Sequence, residues 1–164
     1  MYFFNKENQI SGIEKIKTAF FSLIKDDNSN ITITDICKYA QVNRSTFYAH
    51  FSDINQMYDF MEGELTKSAN LDKSELTNQN LTKVLHFIKK HRNFYKFYFS
   101  LPHTNISNLI YKTQYPNEVS SKYISAFQDA GTKDLIKLWL NNNCKDDTKE
   151  ISNILLKLLS FNKS

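Results

Sequence analysis

The chain has 164 residues, enough for one compact unit or two small ones. It is 41% hydrophobic, which excludes a disordered chain, and its 3 glycines and 2 prolines supply too few tight turns for a hairpin-rich β fold. The formal charge of +4 permits a nucleic-acid partner without requiring one, and residues 1–52 carry only +1 of it, from six Lys/Arg against five Asp/Glu.

The opening "MYFFNKENQ" has a short apolar burst but no signal-peptide core, and no apolar run reaches the length of a membrane span. A cytoplasmic protein is therefore expected. The first helix is marked by a Ser11–Glu14 capping box, in which each side chain satisfies an orphan amide, followed by Ile13, Ile16, Phe20, Leu23 and Ile24 at helical spacing. It stops at the turn formers Asp26 to Asn30. In "ITITDICKYA", Thr32 and Asp35 form a second capping box, and Ile33, Ile36, Cys37 and Ala40 face inward. Only Gln41, Val42 and Asn43 separate this short helix from the next, which Asn43 caps and which runs from Arg44 to about Phe51. Two short helices joined by such a turn make a helix-turn-helix.

A longer helix follows over Ser52 to Asn70, capped by Asp53, with Ile54, Met57, Tyr58, Met61 and Leu65 as its stripe. Leu71 to Asn80 is polar and reads as a loop, and Leu81 to His91 is helical through Leu81, Val84, Leu85 and Ile88. The acid-free basic run from Lys83 to Lys96 reads as a solvated helix face. Asn93 to Leu101 is dense in aromatics. Residues 103–116 suggest a short helix through Ile106, Leu109 and Ile110. Val119 to Ala130 and Thr132 to Asn143 read as two helices broken at Gly131, and Asp147 with Glu150 opens a last, leucine-rich helix. The fold class is all-α: a three-helix helix-turn-helix domain over 1–52, then a helical bundle over 53–164.

The stretch "ITITDICKYAQVNRSTFYAHF" resembles the helix-turn-helix of TetR-type transcriptional regulators. The matching positions are Thr32, Ile33, Asp35, Ile36, Ala40, Val42, Arg44, Ser45, Thr46, Phe47, Tyr48, His50 and Phe51. "GTKDLIKLWLNNNCKDDTKEISNILLKLL", from Gly131 to Leu159, resembles the last two helices of a subgroup of small TetR-like regulators from low-GC Gram-positive bacteria. Three positions depart from the pattern, of which Asn43, in place of the usual serine N-cap, is chemically equivalent. Gln41 stands where the turn glycine is usual, at a cost of about 1 kcal/mol if its φ is positive. Ile54 stands where many relatives carry a phosphate-binding lysine.

The resemblance implies a sequence-specific DNA-binding regulator, a ligand-released repressor acting as a homodimer on a near-palindromic double-stranded operator. The alternative, motivated by Gln41, Ile54 and the low charge, is a co-regulator working through protein contacts alone. In the DNA reading the second helix lies in the major groove. Ser45 and Ala49 keep its exposed face slim, Thr46 and Ala49 meet thymine methyls, and Arg44 takes a guanine edge or a phosphate. Tyr48 and His50 reach phosphate, or pack on the following helix, and Thr32 and Thr34 donate to phosphate. The aromatic zone after residue 93 reads as core or, following the family, as the lining of a small-molecule effector pocket with Tyr98, His103 and Tyr123. Trp139, Leu155, Leu158 and Leu159 read as half of a four-helix dimer interface. Cys37 and Cys144 lack metal spacing and read as structural thiols in a reduced compartment, with a thiol sensor as the alternative. No nucleophile–base pair, phosphate loop or paired histidines are visible among His50, His86, His91 and His103, so no enzyme, metal or cofactor is expected.

Overall fold

In the computed structural model the described residues are 11–25, 31–71, 75–102, 104, 106, 110 and 119–160. All the regular structure among them is helical: α1 (Gly12–Lys25), α2 (Ile33–Ala40), α3 (Arg44–Tyr48), α4 (Ile54–Ala69), α5 (Asn78–Lys90), α6 (Arg92–Tyr98), α7 (Val119–Asn141) and α8 (Thr148–Ser160). The chain divides into two compact units, one up to Gly63 and one from Glu64.

The first unit is built around α1. Ile16, Ala19, Phe20 and Ile24 recur at helical spacing and are buried, as the amphipathic pattern requires. Ser11 accepts the Glu14 amide at 3.4 Å, while the Glu14 carboxylate pairs with Lys17 at 3.1 Å. Against α1 lie α2, through Ile36, Cys37 and Ala40, and α3, through Phe47. The first turns of α4 close the cluster: Met57, Tyr58 and Met61 are fully buried, Phe20 meets Tyr58 edge-on at 5.0 Å, and Phe51 meets Phe60 at 5.4 Å. Asp53 caps α4 by accepting the Gln56 amide at 2.9 Å.

The second unit pairs α5 with α8 and α6 with α7. Leu81, Val84, Leu85 and Ile88 of α5 and Ile151, Leu155 and Leu159 of α8 are buried. The α5–α8 seam also carries polar links: Thr82 donates to Ser152 at 3.1 Å, Ser152 to the Asn78 carbonyl at 3.0 Å, and Asn78 to the Asn153 side chain. Helix α5 begins three residues earlier than the apolar pattern shows, because Thr77 accepts the Asn80 amide at 3.2 Å. Phe94, Tyr95, Tyr98 and Phe99 form a buried aromatic cluster, with Phe94 stacked on Tyr98 at 5.3 Å and Tyr95 on Phe99 at 5.2 Å. Ile106 and Ile110 are buried, whereas Leu109 lies outside the described residues.

Three expectations are corrected. Residues 119–141 form one helix, with no break at Gly131. An exposed helical glycine costs about 1 kcal/mol relative to alanine. The inner stripe Gln128, Thr132, Ile136, Trp139 and Leu140 runs through that point buried on both sides, and this packing holds the helix together. Helix α3 stops at Tyr48 rather than near Phe51. The basic run is not simply a solvated face. Lys89 donates to the Cys144 carbonyl and Lys96 to the Asn143 side chain, both at 3.0 Å. Asn143 and Cys144 are left-handed, with φ of 61° and 53°, so these lysines brace the turn between α7 and α8. Trp139 adds a bond from its indole N–H to the Asp146 carbonyl at 3.1 Å.

Lys133 of α7 is a further brace that periodicity does not reveal. Its ammonium donates to the carbonyls of Leu101 at 2.9 Å and Thr104 at 3.2 Å. Burial lowers its pKa, and Lys137 nearby acts in the same direction. Cys37 and Cys144 are both buried free thiols, and burial pushes both upward in pKa, away from the reactive thiolate.

Candidate nucleic-acid interface

The helix-turn-helix is formed by α2 and α3. Thr32 starts α2 with a complete capping box: its hydroxyl accepts the Asp35 amide at 3.2 Å, and its own amide donates to the Asp35 carboxylate at 3.0 Å. The Thr32 hydroxyl also donates to that carboxylate at 2.6 Å. These two donors hold Asp35 below the usual carboxylate range. Thr32's hydroxyl proton is thus engaged within the cap, while Thr34 is exposed one residue into the helix.

Gln41 ends α2 in the left-handed region, with φ 54° and ψ 45°. Its amide donates to the Lys38 carbonyl at 3.3 Å and the Val42 amide to the Cys37 carbonyl at 3.0 Å. That pair of bonds is a Schellman motif, which a glycine would adopt without a Cβ penalty. The turn therefore holds a residue with a Cβ in a conformation that favours glycine. Asn43 sits at the N-cap of α3 with extended backbone, but its side chain makes no cap hydrogen bond. Its carbonyl serves instead, accepting from Thr46 at 3.0 Å and Phe47 at 3.3 Å.

Two faces separate along α3 and the turn that follows it, residues 44–51. Phe47 and Phe51 are buried, 5.4 Å apart. Arg44, Ser45, Tyr48 and Ala49 are exposed, and Tyr48 shows half its surface. The Arg44 guanidinium lies 3.4 Å from the Tyr48 hydroxyl and 6.0 Å from the ring centroid. The two side chains thus present a charge and a hydroxyl together. Thr46 and His50 point differently. The Thr46 methyl stands 2.7 Å from where a Cβ on Gly12 would be, and His50 Nε2 stands 3.4 Å from it. Thr46 is half-buried on the side of α1, and His50 stays exposed beside it. Tyr39, on α2, is 55% exposed and was not singled out by the motif.

The other two candidate sites lie in the second unit. Tyr98 is buried in the aromatic cluster, Tyr123 is exposed on α7, and His103 lies outside the described residues. Trp139, Leu155 and Leu159 are buried within their own chain, whereas Leu158 is 57% exposed. Leu138 of α7 and Ile154 of α8 are exposed as well, and neither stands out in the sequence because both alternate with buried leucines and isoleucines. No group of metal-ligating side chains occurs among the described residues, and no described helix is long and apolar enough to cross a membrane.

Comparison with known proteins fits this architecture. Residues 75–161, more than half of the chain, match the family described as the transcriptional regulator C-terminal region of TetR-type proteins. Among solved structures the chain is similar to the dihydroxyacetone kinase operon activator DhaS, with a TM-score of 0.54 and 17% identity over 93% of this chain and 96% of that one. At that identity the likeness concerns the fold. No curated protein matches the chain in sequence. With a helix-turn-helix in its first unit and the matched region filling its second, the chain belongs to the TetR family of transcriptional regulators.

Proposed function

We propose that the protein is a homodimeric, sequence-specific DNA-binding regulator, a repressor released by a small ligand. The observation that carries the DNA reading is the division of residues 44–51, α3 and the turn after it: Phe47 and Phe51 inward, and Arg44, Ser45, Tyr48 and Ala49 outward. Small residues at the centre of the outward face let a helix enter the major groove. Arg44 is suited to a guanine edge or a phosphate, and Tyr48 to a phosphate. Thr34 adds a free-facing hydroxyl from the preceding helix, while Thr32 serves the cap. His50 remains a phosphate contact in this reading, and Thr46 acts through its packing on Gly12.

The dimer face in this proposal is the outer side of α7 and α8. Leu138, Ile154 and Leu158 supply exposed apolar surface there, and Trp139, Leu155 and Leu159 support it from behind. Tyr98 belongs to the aromatic cluster from which an effector pocket would be built. The similar solved structure is that of an operon activator, so the direction of regulation is a separate measurement. The second reading, a co-regulator that does not touch DNA, is favoured by the +1 charge of residues 1–52 and by Ile54 in place of a basic side chain. Selection of fragments from the source genome by the purified protein separates the two. Recovery of discrete fragments at low salt supports the regulator. Recovery of none, with a partner regulator retained in a pull-down, supports the co-regulator.

A further inference from the structure

Of the chain's three glycines, Gly63 and Gly131 have open space where a Cβ would stand, and Gly12 does not. None of them has a positive φ, so Gly12 is not required by its backbone conformation. It is the first residue of α1, where the side chain of most residues would be accommodated by helix geometry alone. What excludes a side chain is Thr46 Cγ2 at 2.7 Å, while His50 Nε2, from the same segment around α3, stands at contact distance of 3.4 Å. A Cβ contact of 2.7 Å forces a shift. Thr46 cannot absorb it as a long side chain would, because a β-branched residue in a helix has few χ1 options.

We propose that Gly12 is a positioning residue for DNA recognition: by lacking a side chain it lets the first turn of α1 seat α3 through Thr46 and His50, and so fixes the height of the Arg44–Ser45–Tyr48–Ala49 face. Helix α3 has five residues, so a push at Thr46 displaces the outward residues on both sides of it. Contacts to base edges depend on side-chain reach, and bidentate pairing tolerates little displacement. The proposal rests on the DNA-binding reading above.

The test is a double-mutant cycle with G12A, T46S and G12A/T46S in the full chain, read as affinity for a fragment selected by the wild type and as thermal midpoint. T46S removes the methyl that meets the new Cβ. G12A is expected to weaken binding at least tenfold while its thermal midpoint stays within about 1 °C of the wild type, alanine's better helix propensity offsetting the strain of the displaced segment. In the T46S background the same change is expected to cost less than threefold. Binding by G12A within threefold of wild type, or an equal loss in both backgrounds, overturns the proposal and leaves the DNA reading standing. A thermal midpoint that falls in step with affinity also overturns it, because Gly12 is then a packing residue only. If the wild type selects no fragment, the DNA reading fails and this inference fails with it.

Discussion

Gln41→Gly isolates the one backbone position at which the helix-turn-helix departs from its ideal residue. Gln41 holds φ 54° and ψ 45° at the end of α2. A left-handed conformation costs an L-residue about 1–2 kcal/mol relative to glycine. Glycine returns about 0.5–1 kcal/mol of that through the extra freedom of the unfolded chain. The net expectation is a gain of about 0.5–1 kcal/mol, or a rise of roughly 1–4 °C in thermal midpoint for a chain of this size. Both Schellman bonds, from Gln41 to Lys38 and from Val42 to Cys37, are made by backbone atoms and survive the change. Gln41→Ala is the control: it removes the same side chain but keeps the Cβ, and it should leave the midpoint within about 1 °C of wild type. Circular dichroism melts of the three proteins decide the matter. A rise in Gln41→Ala equal to that in Gln41→Gly assigns the gain to the side chain. No rise in Gln41→Gly means the turn carries no strain.

Leu158→Lys should dissociate the proposed dimer in analytical ultracentrifugation with helix content unchanged, whereas Leu155→Lys, at a fully buried position of the same helix, should unfold the second unit. Equal effects of the two would remove α8 from the dimer face. Asp35 gives a pH dependence of defined sign. Its folded pKa is depressed by Thr32, so its contribution to stability is present above the ordinary value of 3.8 and is lost as pH falls below it. Wild-type stability should therefore drop more steeply than that of Asp35→Asn below that pH, and parallel curves would show that the capping box does not survive in solution. Cys37 and Cys144 should react with a thiol reagent at pH 8 only at the rate of unfolding, and rapid labelling of either in the native protein would contradict its burial.

Most of the first unit was legible in the sequence because its signals are local. Capping pairs, helical spacing and a short turn each involve residues within a few positions of one another, and Thr32, Asp35, Phe47 and Phe51 do what those signals imply. Gly131 misled because punctuation by glycine is a local preference of about 1 kcal/mol, and burial of Thr132, Ile136 and Trp139 outweighs it. The bracing lysines were out of reach: Lys89 finds Cys144 and Lys133 finds Leu101 across tens of residues. The same holds for Thr46, whose packing on Gly12 is invisible to a motif that compares side chains one at a time. Among the aliphatic residues of α7 and α8, composition alone does not say which face turns outward. Trp139 and Leu155 go in, and Leu138 and Leu158 go out.

The proposed DNA reading by the outward face of α3 depends most on Arg44. It is tested most directly by titrating a genome-selected fragment with the wild type and with Arg44→Ala, alongside thermal melts of both. Arg44 is exposed, so its loss should leave the melt unchanged. Arg44→Ala is expected to reduce affinity at least tenfold, consistent with about 1–3 kcal/mol for a bidentate base contact. Equal affinity of the two proteins for the fragment, with equal stability, would contradict it.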